Sequence, residues 1–358
     1  MANSKFLINL LTLITGIGFL WAQPVFADLP PGNAIKDPYA ILRNALPIEQ
    51  KDLREIQHNL EATSDAMRGN RWTTLSRAAS SSQSALNNRK QQIIRDIPAN
   101  NQEKAEILIN SLKATLKDLD KEAKNENKEG FLSQRRKSLS TIGELEALLL
   151  SDKFPYEIPK EFDELPRLLG RANVSIKTNK GTMNAVIDGY NAPLTAGAFI
   201  DLAIKGFYDG LPINRAEDFY ILQSGDPEGP EMGYIDASTG KERNVPLEIR
   251  IPELTKTIYN QTLEDIGQYK ATPTLPFATQ GTLGWAHSAQ ALDDGSSQFF
   301  MFLYEPELTP AGRNLVDGRN AAFGYVIDGF EVLGKLGVKD EILSIKVIDG
   351  AEYLKAHA

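Results

Sequence analysis

The stretch NVSIKTNKGTMNAVI, residues 173–187, is where the chain changes its period. Val174, Ile176 and Thr178 alternate with polar residues, and after Lys180-Gly181 the alternation resumes with Met183, Ala185 and Ile187. Successive side chains on a strand point to opposite faces, so a period of two predicts a strand on each side of the turn. Asn179-Lys180-Gly181 supplies turn chemistry for a hairpin.

Upstream the period is helical. Leu53, Ile56, Leu60 and Met67 form one stripe. Ile107, Leu108, Leu112, Leu116 and Leu119 form a second, and Leu139, Ile142, Leu145, Leu148 and Leu149 a third. Apolar residues three and four apart share one helix face. Breaks at Gly69-Asn70, 98–102 and 125–130 divide residues 37–150 into about four helices, and an antiparallel bundle is the simplest way to bury their stripes. Charged runs such as KDLDKEAKNENKE and Arg135–Lys137 read as solvated helix faces. Residues 151–170 carry Pro155, Pro159 and Pro166, which forbid a continuous helix and predict a semi-rigid linker.

Downstream of the hairpin, Pro193 suits the first turn of a short helix over 192–205, and a second is expected at 330–336. Strands are expected at 219–223, 281–286, 298–303, 323–327 and 343–348. Many short strands with few helices predict a closed antiparallel barrel. Residues 231–279 form a long connection, with a short helix expected at 263–267. The fold class is therefore multidomain α + β: signal peptide 1–27, helical bundle 28–150, linker 151–170 and barrel 171–358.

The leader MANSKFLINLLTLITGIGFLWAQPVFA has one positive charge, Lys5, then an apolar core, then small residues at Val25 and Ala27. It reads as a secretory signal peptide cleaved after Ala27. The apolar run is shorter than the ~20 residues a span needs, and no later stretch is long enough, so no transmembrane segment is expected after cleavage. The 358 residues carry a formal net charge of −8, which argues against a nucleic-acid partner, because phosphate binding is driven by Lys and Arg. There is no cysteine, so disulfides and thiolate metal sites are excluded. Three histidines, His58, His287 and His357, are too few for a multi-His zinc site or a histidine relay. No metal and no cofactor is expected.

Three stretches carry unusual chemistry for a β domain: NRAEDFYILQSGD (214–226), GTLGWAHSAQALDDGSSQFFMFL (281–303) and LVDGRNAAFGYV (315–326). In the first, one arginine precedes a glutamine by eight positions in an otherwise apolar run. Read alone, Arg215 is a surface ion-pair residue, and Gln223 and Gln298 are amides at strand ends. Phe299 and Phe302 read as core and Trp285 as barrel packing.

The order and residues of these stretches resemble the cyclophilin family of peptidyl-prolyl isomerases, most specifically through GSSQFF followed by DGRNAAFG. The resemblance implies an eight-stranded barrel capped by two helices, with a substrate groove on one face. It makes Arg215 the catalytic residue. It assigns substrate contacts to Tyr220 (with Phe219 as an adjacent candidate), Ile221, Gln223, Ala286, His287, Ser288, Gln298, Phe300, Leu315, Val316 and Asn320. Leu315 stands where many members have tryptophan, and Asn320 where many have histidine. The whole layout resembles the large thylakoid-lumen cyclophilins. That implies location in the thylakoid lumen or periplasm, proline-containing polypeptides as partners, and a role in assembling photosystem II subunits. A second reading is a catalytically weak prolyl-binding scaffold whose linker or bundle covers the groove or recruits partners.

Overall fold

The computed structural model describes residues 35–150, 153–229, 233–237, 239–303 and 316–356. The leader, Leu315 and His357 lie outside them.

Among the described residues, six α-helices make up the N-terminal region: α1 (Pro38–Asn44), α2 (Lys51–Glu61), α3 (Thr63–Arg68), α4 (Trp72–Asp96), α5 (Gln102–Lys124) and α6 (Lys128–Ala147). The four longest pack α2 on α4, α4 on α5, α5 on α6 and α6 on α2. In α5 the buried stripe is Ala105, Ile109, Leu112, Leu116, Leu119 and Ala123, spaced four and three residues apart. Ile107, expected in that stripe, is off its face and 64% exposed, and Ile109 takes the position. In α4 the buried stripe is Leu75, Ala79, Ser82, Leu86 and Ile93. Arg135 is not on a solvated face. Its guanidinium donates to the carbonyls of Leu60 (2.9 Å) and Glu61 (3.1 Å), orphaned at the end of α2.

The first helix does not belong to that core. Asp37 caps it, accepting from the Tyr39 N–H at 3.0 Å, and Pro38 opens it. Its apolar face, Ile41, Leu42 and Ala45, joins the hydrophobic core of the sheet. Arg171 donates to the Leu42 carbonyl at 2.6 Å and Asn191 to the Ala45 carbonyl at 2.9 Å. Arg43 in turn pairs with Glu61 of α2 at 2.9 Å, so α1 is held by both halves of the molecule.

The C-terminal region is an antiparallel sheet with the strand order β11-β2-β3-β10-β8-β9-β5-β4. Its strands are β2 (Arg171–Thr178), β3 (Gly181–Asp188), β4 (Arg215–Glu217), β5 (Ile221–Ser224), β8 (Thr282–Trp285), β9 (Phe299–Phe302), β10 (Ala322–Asp328) and β11 (Ile342–Asp349). The hairpin read from residues 173–187 is β2–β3, with Thr178 opposite Gly181. The strand ladder is open, since it ends at β11 and β4 and does not return on itself. Backbone bonds outside the ladder span the gap. Gly210 N–H reaches Ile342 O at 2.7 Å, Ile342 N–H reaches Leu211 O at 2.9 Å and Ile213 N–H reaches Asp340 O at 2.6 Å. The closed barrel expected from the sequence is thus a curled sheet whose edges meet through the segment leading into β4. Strand β4 is too short to complete the ladder. Helix α7 (Pro193–Ile204) is buried from Pro193 to Ala203 and packs its Phe199 against Phe299 and Phe323 of the sheet, and α8 (Phe330–Leu333) lies against β3.

Two segments expected to be peripheral are built in. Residues 153–168 lie along the sheet domain instead of spacing it from the helices. Phe154 stacks with Tyr190, Phe162 meets Tyr259 with ring centroids 5.0 Å apart, and Tyr156 lies 3.4 Å from the Arg250 guanidinium. The segment ends in β1 (Arg167–Leu168), paired with β12 (Leu354–Lys355). The 231–279 connection contributes β6 (Glu248–Ile249) and β7 (Ile258–Tyr259), which pair with each other. From β6, the buried Glu248 carboxylate accepts the Thr195 N–H at 2.6 Å, at the start of α7. The helix expected at 263–267 is a single turn. Thr262 and Asp265 exchange hydrogen bonds as in a capping box, but Gly267, with φ +72°, stops it there. Among the described residues, no helix is long and apolar enough to cross a membrane.

Glu146 is buried completely near the contact of α1 with the helices. Its carboxylate lies 3.1 Å from Arg54 NH1, a charge contact without hydrogen-bond geometry. Burial pushes its pKa up to about 7, opposed by Arg54 and Arg43 and reinforced by Glu61. The folded state therefore keeps a proton that the unfolded chain releases near pH 4.5. The stability this contributes is complete below pH ~4.5 and is lost as pH rises through about 7. Glu248 shifts in the same direction for the same reason. Glu146→Gln is expected to be increasingly stabilised relative to the parent as pH rises from 5 to 8, by up to roughly 3 kcal/mol. Thermal melts across that range check it, and a difference independent of pH would show that Glu146 is ionised throughout.

Candidate functional site

Strand register builds the site. Arg215 of β4 lies opposite Gln223 of β5, Gln223 opposite Phe300 of β9, Phe300 opposite Gly284 of β8 and Gly284 opposite Ala322 of β10. Residues directly opposite in an antiparallel sheet project from the same face. A guanidinium, an amide and an aromatic ring are thereby set in one row. The neighbouring row, two residues along, is Glu217, Ile221, Phe302 and Thr282. Leu222, Met301 and Leu283 alternate to the opposite face of the sheet and belong to the core.

Gly284 is what lets Phe300 lie flat. A Cβ there would stand 2.3 Å from the Phe300 ring and 2.8 Å from the Phe277 ring. Phe277 and Phe300 stack with centroids 5.6 Å apart and planes 12° apart, which makes an apolar floor. Phe277 comes from the end of the 231–279 connection and is pinned by its N–H, which donates to Asp317 Oδ1 at 2.8 Å. Phe302, grouped with Phe299 from the sequence, shares Phe300's face instead. It is buried beneath Phe277 and Tyr220, at 5.5 Å and 6.1 Å between centroids. Phe299 faces the interior against Phe199 and Tyr208. A period of two requires this division, since residues 300 and 302 must share a face.

The two aromatic candidates separate clearly. Tyr220 packs over Phe302, whereas Phe219 is 80% exposed. Residues 218–220 form a three-residue hairpin loop that places Phe219 at φ +59°, a conformation that costs a side-chain-bearing residue about 1–2 kcal/mol.

A polar relay runs beside the floor. Gln223 Nε2 donates to Gln298 Oε1 at 2.7 Å, and Gln298 Nε2 donates to Asp226 Oδ1 at 3.1 Å. Asp226 fixes which way both amides face. Arg215 is half exposed and donates through Nε (2.7 Å) and NH2 to Glu217 Oε1.

The third part is the 286–291 loop with the 316–320 rim. Ala286 N–H donates to the Gln298 carbonyl at 3.0 Å. Ser288 Oγ accepts from the Gln290 and Ala291 N–H groups and so shapes the loop. His287 bridges loop and rim: Nδ1 is 2.7 Å from the Ser288 carbonyl and Nε2 is 2.9 Å from the Arg319 carbonyl. Asn320 donates to the Trp285 carbonyl at 3.2 Å, and Val316 is buried. The rings of the 153–168 segment reach Tyr190, Arg250 and Tyr259, none of which belongs to the Arg215 row. Covering of the groove by that linker is not what its contacts describe.

Glu217, Asp226, Phe277 and Gly284 were not picked out from the sequence. Alternation from Arg215 points to Glu217, and Asp226 closes the quoted QSGD. Nothing local marks Phe277. Gly284→Ala must displace Phe300 or Phe277, and such overpacking costs about 1–3 kcal/mol. A lowered melting temperature and weakened binding of an X-Pro peptide are expected. Unchanged values for both would mean that the stack does not form the floor.

Comparison with known proteins gives two matches to family models. One, described as the PsbQ-like domain of CYP38-like peptidyl-prolyl cis-trans isomerases, covers residues 37–150. The other, cyclophilin type peptidyl-prolyl cis-trans isomerase/CLD, covers residues 173–347. A Synechocystis sp. protein, provisionally named thylakoid lumen peptidyl-prolyl cis-trans isomerase sll0408, is 44% identical over 96% of this chain and 93% of its own length. The chloroplastic peptidyl-prolyl cis-trans isomerase CYP38 of Arabidopsis thaliana is 40% identical over 93% of this chain and 79% of its own. A solved cyclophilin type isomerase from Cryptosporidium parvum covers 50% of this chain and 98% of that chain, at 23% identity and a TM-score of 0.35. Near-complete alignment with relatives at 44% and 40% identity establishes that this chain belongs to the cyclophilin-type peptidyl-prolyl cis-trans isomerase family.

Proposed function

We propose that the chain accelerates cis-trans isomerisation of X-Pro bonds, with Arg215 as the catalytic residue and the row Arg215–Gln223–Phe300 as the groove. The observation that carries this reading is the shared register, which sets a fixed cation, a held amide and an apolar floor side by side. Rotation about an amide is resisted by ~18–20 kcal/mol of resonance. No nucleophile or cofactor is needed, only binding that favours the twisted amide over both planar forms. In that twisted state the prolyl nitrogen becomes pyramidal and gains a lone pair. A guanidinium stays charged and offers fixed donors, so Arg215 supplies a hydrogen bond where the lone pair develops. Phe300, on its stacked support, receives the pyrrolidine ring and excludes water. Gln223 holds the neighbouring carbonyl, its own oxygen and nitrogen sorted by Gln298 and Asp226. Tyr220, Ile221, Val316 and Asn320 line the walls, and Ala286, His287 and Ser288 pair with the substrate backbone.

The helical region is read as an antiparallel bundle (28–150), residues 151–170 as the connecting stretch, and residues 171–358 as the cyclophilin-like domain. The leader read at 1–27 and the names of the relatives favour export to the thylakoid lumen. Photosystem II subunits are the clients proposed there.

Isomerisation of an X-Pro peptide by residues 28–358 tests the reading. Arg215→Ala is expected to lower kcat/KM by about 10²–10³-fold without loss of fold, the scale seen when one preorganised donor is removed from a site. A folded Arg215→Ala variant with the parent's rate overturns it. No rate in either protein would leave a groove that binds prolyl segments without turning them over.

A further inference from the structure

Glu217 is the one charged side chain that engages the Arg215 guanidinium among the bonds described at the site. The two stand two residues apart on β4, the edge strand of the sheet, and so share the groove face. Both Arg215 Nε and NH2 donate to the same oxygen, Glu217 Oε1. A guanidinium has five N–H donors in a fixed fork, so two of them are committed before any substrate arrives. Both side chains are about half exposed, at 51% and 46%, so the pair is open to exchange with a solvent-borne partner. The surroundings favour a cationic partner. Asp218 follows Glu217 directly and Asp226 ends the glutamine relay, while Arg319 on the rim is already paired with Glu264 at 2.9 Å.

We propose that Glu217 is a positioning and specificity-determining residue, which restrains Arg215 in the free protein and releases it to substrates with a Lys or Arg next to the proline. A substrate cation takes Glu217 and frees the Arg215 donors for the prolyl nitrogen. A neutral substrate must compete with Glu217 for them. An acidic substrate is repelled by Glu217 and Asp226, and it pairs with Arg215 in place of the amide. This rests on the isomerase reading above. Exposed ion pairs are weak and screened by salt, so the preference is modest, about three- to tenfold between basic and acidic peptides at low ionic strength.

The test measures kcat/KM on two peptide series, with Lys, Ala or Glu either before or after the proline. Residues 28–358 are compared with Glu217→Gln, Glu217→Asp and Arg215→Ala, at low salt and at 1 M salt. Expected are a Lys > Ala > Glu order in at least one series and its collapse at 1 M salt. Glu217→Gln should flatten the order and speed the Ala peptide about two- to fivefold, and Glu217→Asp should restore the order. Three results overturn the proposal: no preference in the parent protein, the same preference in Glu217→Gln, or a Glu217→Gln variant slowed on every peptide. Arg215→Ala separates the two levels. A parent-like rate there sinks the reading of the site itself and this inference with it. A lost rate there, with an unflattened Glu217→Gln, sinks only the role of Glu217.

Discussion

The site depends on the register of four strands. Arg215, Gln223, Phe300 and Gly284 come from four different strands and meet only because each lies directly opposite the next. A slip of one residue in any pairing would turn that strand's member of the row into the core and bring a core residue out. Leu222, Met301 and Leu283 fix the register from the other side, since each is buried and none can be turned to solvent without losing its contacts. The apolar core is thus what holds a polar constellation in place.

The same logic explains the segments added to the sheet. The 231–279 connection is long, yet it covers the groove face where Phe302 and Tyr325 would otherwise stand in water. Tyr325 donates to the Pro276 carbonyl at 2.9 Å, and Phe277 lies on Phe300. The same connection sends Glu248 to the start of α7, where the helix presents N–H groups without intrahelical partners. Burial holds that carboxyl near pKa 7, so its charge is not essential to the bond it accepts. Arg250 takes hold of Tyr156 and thereby of the stretch that returns from the helices. Beyond the groove, α1 fills the seam between the two halves. Its apolar side joins the sheet core, and its arginine pairs across to α2. The two halves are consequently joined by packing and ion pairs as well as by the chain between them.

The chemistry at the row is one of orientation. Gln223, Gln298 and Asp226 form a directional chain, because the carboxylate can only accept, which fixes Gln298 and in turn Gln223. Arg215 is different: it sits on an edge strand of three residues, half exposed and bound to a neighbour that is equally exposed. A held amide and an accessible cation suit a reaction whose ground states are planar and whose transition state is twisted, since the cation must meet a lone pair that exists only in passing.

Periodicity alone placed the helical half, the β2–β3 hairpin and most of the strands, because burial of one face imposes a repeat that sequence displays directly. Motif resemblance located Arg215, Gln223, Gln298 and Phe300. It could not show what Arg215 touches, since an ion pair between exposed side chains leaves no repeat. It could not find Phe277 either, because stacking on Phe300 joins residues 23 positions apart through a loop without period. Ile107 and Ile109 were confused because adjacent aliphatic residues look alike until a partner helix selects one face. Alternation puts Phe300 and Phe302 on one face, although Phe302 read as core beside Phe299, and only the tertiary structure showed that Phe277 of the 231–279 connection packs on that face against both rings. The sequence by itself determined local geometry, since φ, ψ preferences and burial period are properties of neighbours along the chain. Which strands pair, how far the sheet closes and what covers its outer face were decided by contacts between distant segments, and these exist only once the chain has folded.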